Sequence, residues 1–110
     1  MQFDKDLQSV YKTLFLDIRN LLLSNPNITE TKKVRITTYS HANGGICHLR
    51  TTEKGVDIGF LKGVYLEDKL ALLQGKGKRI RVISLNGYHE IALSYYINQA
   101  ITINSKKNNY

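Results

Sequence analysis

Apolar residues recur at steps of three and four along the first part of the chain. This spacing places them on one face of an α-helix. Asn25-Pro26-Asn27 follows, and proline disfavours the helical conformation in the residue before it. The pattern predicts an amphipathic helix over 3–24 with an apolar stripe of Phe3, Leu7, Val10, Leu14, Ile18 and Leu21.

The middle of the chain alternates apolar and polar residues, which is typical of half-buried strands. Glycine-containing turns separate these stretches, at Asn43-Gly44-Gly45, at Glu53-Lys54-Gly55 and at Asn86-Gly87. Connections this short join antiparallel strands, because a parallel pair needs a crossover of about a dozen residues. The predicted strands are 33–40, 46–51, 56–61 and 79–85.

Two further helices complete the predicted order α-β-β-β-α-β-α. Glu67 to Gln74 is expected to form a short helix with Leu70 and Leu73 facing inward and Gly75 as its C-terminal cap. Residues 88–103 are expected to form a second long helix. The predicted fold is α+β: an antiparallel sheet of four strands, or of five, with two long helices on one face. One domain over 1–104 and a disordered tail over 105–110 are expected.

The alternation also assigns the two faces of the predicted sheet. The inward set is Val34, Ile36, Cys47, Leu49, Val56, Ile58, Phe60, Ile80 and Val82. The outward set is Arg35, Thr37, Tyr39, His48, Arg50, Asp57, Gly59, Arg79 and Arg81. An antiparallel sheet can leave one face in water, so this polar face is either a solvated surface or a ligand-binding surface.

Charge adds a second candidate feature. The 110 residues carry 16 Lys+Arg and 9 Asp+Glu, a formal net charge of +7. The densest run is Gly75-Lys76-Gly77-Lys78-Arg79-Ile80-Arg81, in which cations and exposed backbone amides could hold an anion. It lacks the phosphate-loop spacing, and a predicted strand follows it instead of a helix. A solvated basic turn is the alternative.

The sequence lacks the residue patterns of catalytic, metal-binding, nucleic-acid-binding and membrane proteins. The single cysteine, Cys47, is predicted to point inward, and no nucleophile motif or paired metal-ligand spacing accompanies it or the three histidines. No motif of specific nucleic-acid recognition is present. No apolar run is long enough for a membrane helix, and the acidic N-terminal segment does not fit a signal peptide. We therefore expect a cytoplasmic protein without metal, cofactor or membrane anchor.

The chain resembles the YdhG-like superfamily of small bacterial proteins, a domain of unknown function. The resemblance rests on Val56-Asp57-Ile58-Gly59-Phe60-Leu61-Lys62-Gly63, on the leucines at 70–73 and on the run from Gly75 to Arg81 that leads into a strand. It implies an α+β fold with an antiparallel sheet packed against helices. Some members are described as frataxin-like iron chaperones, so the resemblance also implies iron handling as an alternative function. Iron handling of that type uses an acidic surface, whereas the first predicted helix here balances Asp4, Asp6 and Asp17 with Lys5, Lys12 and Arg19.

Together these patterns predict a non-catalytic binding or interaction domain for an anionic small molecule or an acidic protein segment. A homodimer that covers the polar face is a further alternative. The candidate ligand-binding residues are Arg35, Tyr39, His48, Arg50, Asp57, Lys78, Arg79 and Arg81.

Overall fold

The structure is a computed structural model that describes residues 1–42 and 44–105. Its elements are α1 Gln2–Asp6, α2 Lys12–Leu23, β1 Thr29–Lys32, β2 Thr37–His41, β3 Gly44–Thr52, β4 Gly55–Phe60, a 3-10 turn Gly63–Tyr65, β5 Arg81–Leu85 and α3 Glu90–Ser105. The strands form one antiparallel sheet in the order β1-β2-β3-β4-β5. The predicted α+β class with an antiparallel sheet is confirmed, and the sheet has five strands.

The core lies between one face of the sheet and helices α2 and α3. Leu49, Ile58 and Ile83 pair across neighbouring strands and are fully buried. The helices cover them with the buried residues Phe15, Ile18, Leu22, Leu93, Tyr96 and Ile97. Each such side chain contributes about 1.5–3 kcal/mol when removed from water. This packing leaves the opposite face of the sheet free of α2 and α3.

The N-terminal stripe is carried by two helices instead of one. Val10, which the periodicity placed on the stripe, lies between α1 and α2 and is 92% exposed. Asp6, the last residue of α1, is buried and accepts hydrogen bonds from the backbone N and Oγ1 of Thr51 in β3 (3.0 and 2.7 Å). This attachment fixes α1 on the sheet. The prediction of one continuous helix over 3–24 is therefore wrong at 7–11.

The first predicted strand is a hairpin. The backbone N of Lys33 donates to the carbonyl of Ile36 (2.9 Å), so the chain turns at Val34 and Arg35 between β1 and β2. Val34 was predicted to face inward and is 74% exposed. Strand 33–40 is therefore wrong at 33–36, which form the turn after β1, whereas 37–40 lie in β2 as predicted.

The predicted short helix at Glu67–Gln74 is absent from the described structure. The segment 66–74, called the strap below, is irregular and is attached to α3 by side-chain hydrogen bonds. The hydroxyl of Tyr95 donates to the carbonyl of Glu67 (3.0 Å), and that of Tyr96 donates to Oδ1 of Asp68 (2.7 Å). The predicted inward anchor Leu70 is 47% exposed. Tertiary hydrogen bonds therefore replace the helical ones.

The predicted C-terminal tail over 105–110 lies mostly outside the described residues. Ser105, assigned to a disordered tail, is the last residue of α3. Positions 106–110 of that tail and Asn43 of the predicted turn lie outside the described residues. Among the described residues, no helix has the length and apolar character needed to cross a membrane.

Candidate functional site

Three of the predicted site residues lie together on the sheet face away from α2 and α3, called the open face below. Arg50 pairs with Asp57 across β3 and β4, and Asp57 pairs with Ser84 of β5. The hydroxyl of Ser84 donates to Oδ1 of Asp57 (2.7 Å). His48, one pair along β3, lies opposite Gly59. The alternation of the two central strands therefore predicted this polar group correctly.

The ring of His48 rests directly on Gly59. A Cβ atom at position 59 would clash with the imidazole, so a residue with a side chain at this position would displace the His48 ring. Burial lowers the pKa of His48 below its ordinary value, and Arg50 lowers it further, against the opposing effect of Asp57. His48 is therefore neutral at pH 7 and supplies a hydrogen-bonding group instead of a third charge on this face.

Tyr39 was predicted on the open face and instead lies against the helices. It pairs with Cys47, which faces the core, and directly opposed residues share a face of the sheet. The side chain is fully buried, and its hydroxyl donates to Oε2 of Glu30 (2.8 Å). Burial and this hydrogen bond raise the pKa of Tyr39. Tyr39 is therefore a structural residue.

Glu30 also joins this network to α2. Nε and Nη2 of Arg19 donate to its two carboxylate oxygens (2.6 and 2.9 Å), a bidentate ion pair. Burial tends to raise the pKa of Glu30, but the hydrogen bonds from Arg19 and Tyr39 outweigh it and leave the pKa below its ordinary value. Arg19, Glu30 and Tyr39, called the ion-pair cluster below, satisfy one another at the sheet edge.

Arg35 was also predicted on the open face. It lies in the exposed turn between β1 and β2, two residues before β2 begins at Thr37. Lys78 and Arg79 lie before the start of β5, at the opposite edge and the opposite end of the sheet. The structure therefore does not bring Arg35 together with the other predicted cations.

The densest cation run forms a loop with a defined backbone. Gln74 and Val82 exchange two backbone hydrogen bonds (both 2.8 Å), which close the chain between them. Gly75 begins the loop at φ +129°, a conformation that residues with a side chain rarely adopt. The carbonyl of Arg79 accepts a further bond from the backbone N of Val64 (2.9 Å). Residues 75–80 are called the basic loop below.

The guanidinium of Arg81 holds the basic loop through hydrogen bonds to its carbonyls. Its Nη1 donates to the carbonyls of Gly77 and Ile80 (2.6 and 2.8 Å). Its backbone pairs with Phe60, which faces the core, so its predicted place on the open face is wrong. Val82, predicted inward, shares the open face with its partner Gly59. The last strand was assigned with its two faces reversed.

Three cations project from the basic loop. Lys76, Lys78 and Arg79 are exposed, and no acidic partner is found for them among residues 1–42 and 44–105. Lys76 was missing from the predicted site, although its place in the densest basic run was the signal that marked it. The loop therefore presents three positive charges that have no acidic partner in the described part of the chain, on a backbone held by hydrogen bonds.

The remaining chemistry-bearing groups do not form a reactive site in the described residues. Cys47 is fully buried, and burial raises the pKa of its thiol well above the ordinary value, which keeps it protonated. Within the described part of the chain, no three His, Cys, Asp or Glu side chains are grouped so that they could hold a metal ion. An open cavity of about 660 Å³, lined by 52–57 and 84–86, lies at the far end of β5 from the basic loop.

Comparisons of this chain with protein-family models, with curated proteins and with solved structures found no match. The YdhG-like assignment and the iron-handling function that it implies therefore stay predictions. The geometry of the site is the remaining basis for a functional proposal.

Proposed function

We propose that this protein is a non-catalytic cytoplasmic binding domain for an anionic small molecule or an acidic protein segment, with the basic loop as its contact surface. The observation that carries the proposal is that Lys76, Lys78 and Arg79 have no acidic partner among the described residues and lie on a hydrogen-bonded loop. The cytoplasmic location is supported by the single cysteine, Cys47, which is a buried free thiol.

A preformed loop lowers the conformational cost of binding. Each flexible side chain or loop segment that is ordered on binding costs free energy. Here the Gln74–Val82 bridge, the Val64–Arg79 bond and the guanidinium of Arg81 already hold the backbone. Little of the attraction between the loop cations and an anion is therefore offset by the cost of ordering the loop.

The net charge also favours binding of an acidic partner. A formal charge of +7 attracts acidic partners over long range and raises their association rate at low salt. The open face contributes less, because Arg50 lies opposite the negatively charged Asp57 and His48 is neutral at pH 7. The basic loop is therefore the better candidate for the contact surface.

The test measures the affinity of a fluorescein-labelled decaglutamate peptide by anisotropy at 50 and 300 mM NaCl. The variant Lys76→Glu/Lys78→Glu/Arg79→Glu should bind at least about tenfold more weakly at 50 mM NaCl, because surface charge contacts act over roughly one Debye length. The wild-type affinity should fall steeply at 300 mM NaCl.

The matched control is Lys12→Glu/Lys33→Glu/Lys54→Glu, which reverses three exposed lysines away from the basic loop. Each triple variant takes the formal net charge from +7 to +1, since every reversal removes two positive charges. The control should bind several-fold more tightly than the loop variant. Equal affinities would show that binding depends on overall charge and would reject the basic loop as the site.

A further inference from the structure

An exposed apolar side chain lies within the cation group of the basic loop. Ile80 follows Arg79 directly and is 43% exposed. Its carbonyl accepts a hydrogen bond from Nη1 of Arg81 (2.8 Å), which holds the backbone at this point. The side chain is therefore presented to solvent beside Lys78 and Arg79 by a defined backbone.

A second apolar side chain lies in the strap that leads into the loop. Leu70 is 47% exposed, although its backbone N donates to the hydroxyl of Tyr96 (3.1 Å). The strap is thus fixed on α3 with this leucine directed outward. Both apolar groups belong to the segment between the 3-10 turn and β5 that carries the three unpaired cations.

The loop does not have the form of a pocket for a compact anion. All six residues from Gly75 to Ile80 are exposed. The guanidinium at its base, on Arg81, is already bonded to two carbonyls, Gly77 and Ile80. The cations therefore lie on an exposed loop, whereas a compact anion such as phosphate is held best by donors that converge.

We infer that the occupant of this surface is an extended acidic protein segment that also carries apolar side chains. This inference rests on the proposed function and names its partner class. Acidic side chains of the segment pair with Lys76, Lys78 and Arg79, while a leucine-sized side chain covers Ile80. An interface of this kind combines charge complementarity with a small desolvated apolar contact.

The experiment compares two labelled peptides of equal length and equal negative charge. One contains glutamate and serine, and in the other leucine replaces the serines. Wild-type protein should bind the leucine peptide about fivefold more tightly, since that ratio corresponds to covering part of one large aliphatic side chain. Ile80→Ser should remove this preference and leave the affinity for the serine peptide unchanged.

The control variant is Ile91→Ser. Ile91 is 88% exposed in the first turn of α3, at the other end of β5 from the basic loop. It should keep the full preference for the leucine peptide. Both isoleucines are exposed, and thermal unfolding of each variant checks that the fold is retained.

The outcomes separate this inference from the proposed function. If both peptides bind equally and the triple loop variant loses both, the basic loop is the site and the inference about apolar side chains is wrong. A preference for leucine that survives Ile80→Ser also overturns it. If inorganic phosphate or vesicles of anionic phospholipid bind in place of both peptides, a protein segment is not the occupant. If no anionic probe binds, the inference and the proposed function both fail.

Discussion

The ion-pair cluster and the basic loop use positive charge in opposite ways. In the cluster, Arg19 is bonded to both oxygens of Glu30, and Tyr39 completes the carboxylate's hydrogen bonding. In the basic loop, by contrast, the cations have no acidic partner among the described residues, and hydrogen bonds from the backbone and from Arg81 hold the chain in place. Paired charge at the sheet edge serves the fold, whereas unpaired charge on a fixed loop is available to a partner.

The largest effect on this comparison is expected from Glu30→Gln. The change leaves the partly buried Arg19 without its counter-charge, and breaking such a pair costs about 2–3 kcal/mol of unfolding free energy, below the range for fully buried pairs. Urea unfolding at pH 7 measures this loss. The control is Glu53→Gln, an exposed carboxylate that should change the unfolding free energy by less than about 0.5 kcal/mol.

The pH dependence provides a second readout of the same variant. The pKa of Glu30 is lowered in the folded state, so its stabilising effect is fully present above the ordinary value of 4.5 and is lost as the pH falls toward the folded pKa. The difference in unfolding free energy between wild type and Glu30→Gln should therefore shrink below about pH 4.5. A difference that stays constant between pH 7 and pH 3 would contradict the role given to this carboxylate.

A smaller effect is expected at the base of the basic loop. Arg81→Gln should weaken binding of the acidic peptide about threefold, because the loop loses the two hydrogen bonds from Nη1 of Arg81 and with them part of its preorganisation. The slope of log affinity against log salt should stay unchanged, whereas Lys78→Gln should reduce it. If Arg81→Gln reduces the slope as much as Lys78→Gln does, Arg81 contacts the partner directly.

The success of the sequence predictions differs between central and edge strands. In β4, apolar residues occupy one parity of the alternation, and in β3 Cys47 and Leu49 alternate with His48 and Arg50; Cys47, Leu49 and Ile58 are buried as expected. In the last strand, apolar residues occupy both parities, and the burial of Ile83 and Leu85 in place of Ile80 and Val82 depends on the register with β4. The buried face of an edge strand is therefore set by its register with the neighbouring strand, which alternation within one strand does not reveal.

The positions of the candidate site residues were likewise predicted correctly in the central strands β3 and β4 and wrongly elsewhere. His48, Arg50 and Asp57 were placed together because their strands are central and regular. Tyr39 was misplaced, since its burial depends on a hydroxyl partner, Glu30, that belonged to no predicted strand. Likewise, nothing in the local sequence shows that Arg81 turns back onto carbonyls of its own loop.

The smallest expected effect concerns the strap. Ala71 is exposed and has φ +56°, a left-handed conformation that costs a residue with a Cβ atom about 1 kcal/mol. Ala71→Gly relieves this cost but gains freedom in the unfolded chain, so a net stabilisation of about 0.5 kcal/mol is expected. The same change at Ala92, within α3, should destabilise by about 1 kcal/mol. Thermal unfolding of both variants checks the opposite signs, and destabilisation by Ala71→Gly would contradict the strained conformation.

The central claim is that the cations of the basic loop serve binding and not the fold. The most direct test of it uses the triple variant Lys76→Glu/Lys78→Glu/Arg79→Glu. Its urea unfolding and its binding of the acidic peptide are measured side by side at 50 mM NaCl. We expect an unfolding free energy within about 0.5 kcal/mol of wild type, because these cations pair with no described acidic group, together with a loss of at least about tenfold in affinity. Wild-type affinity with a large loss of stability would show that the cations of the basic loop serve the fold, and would contradict the proposal.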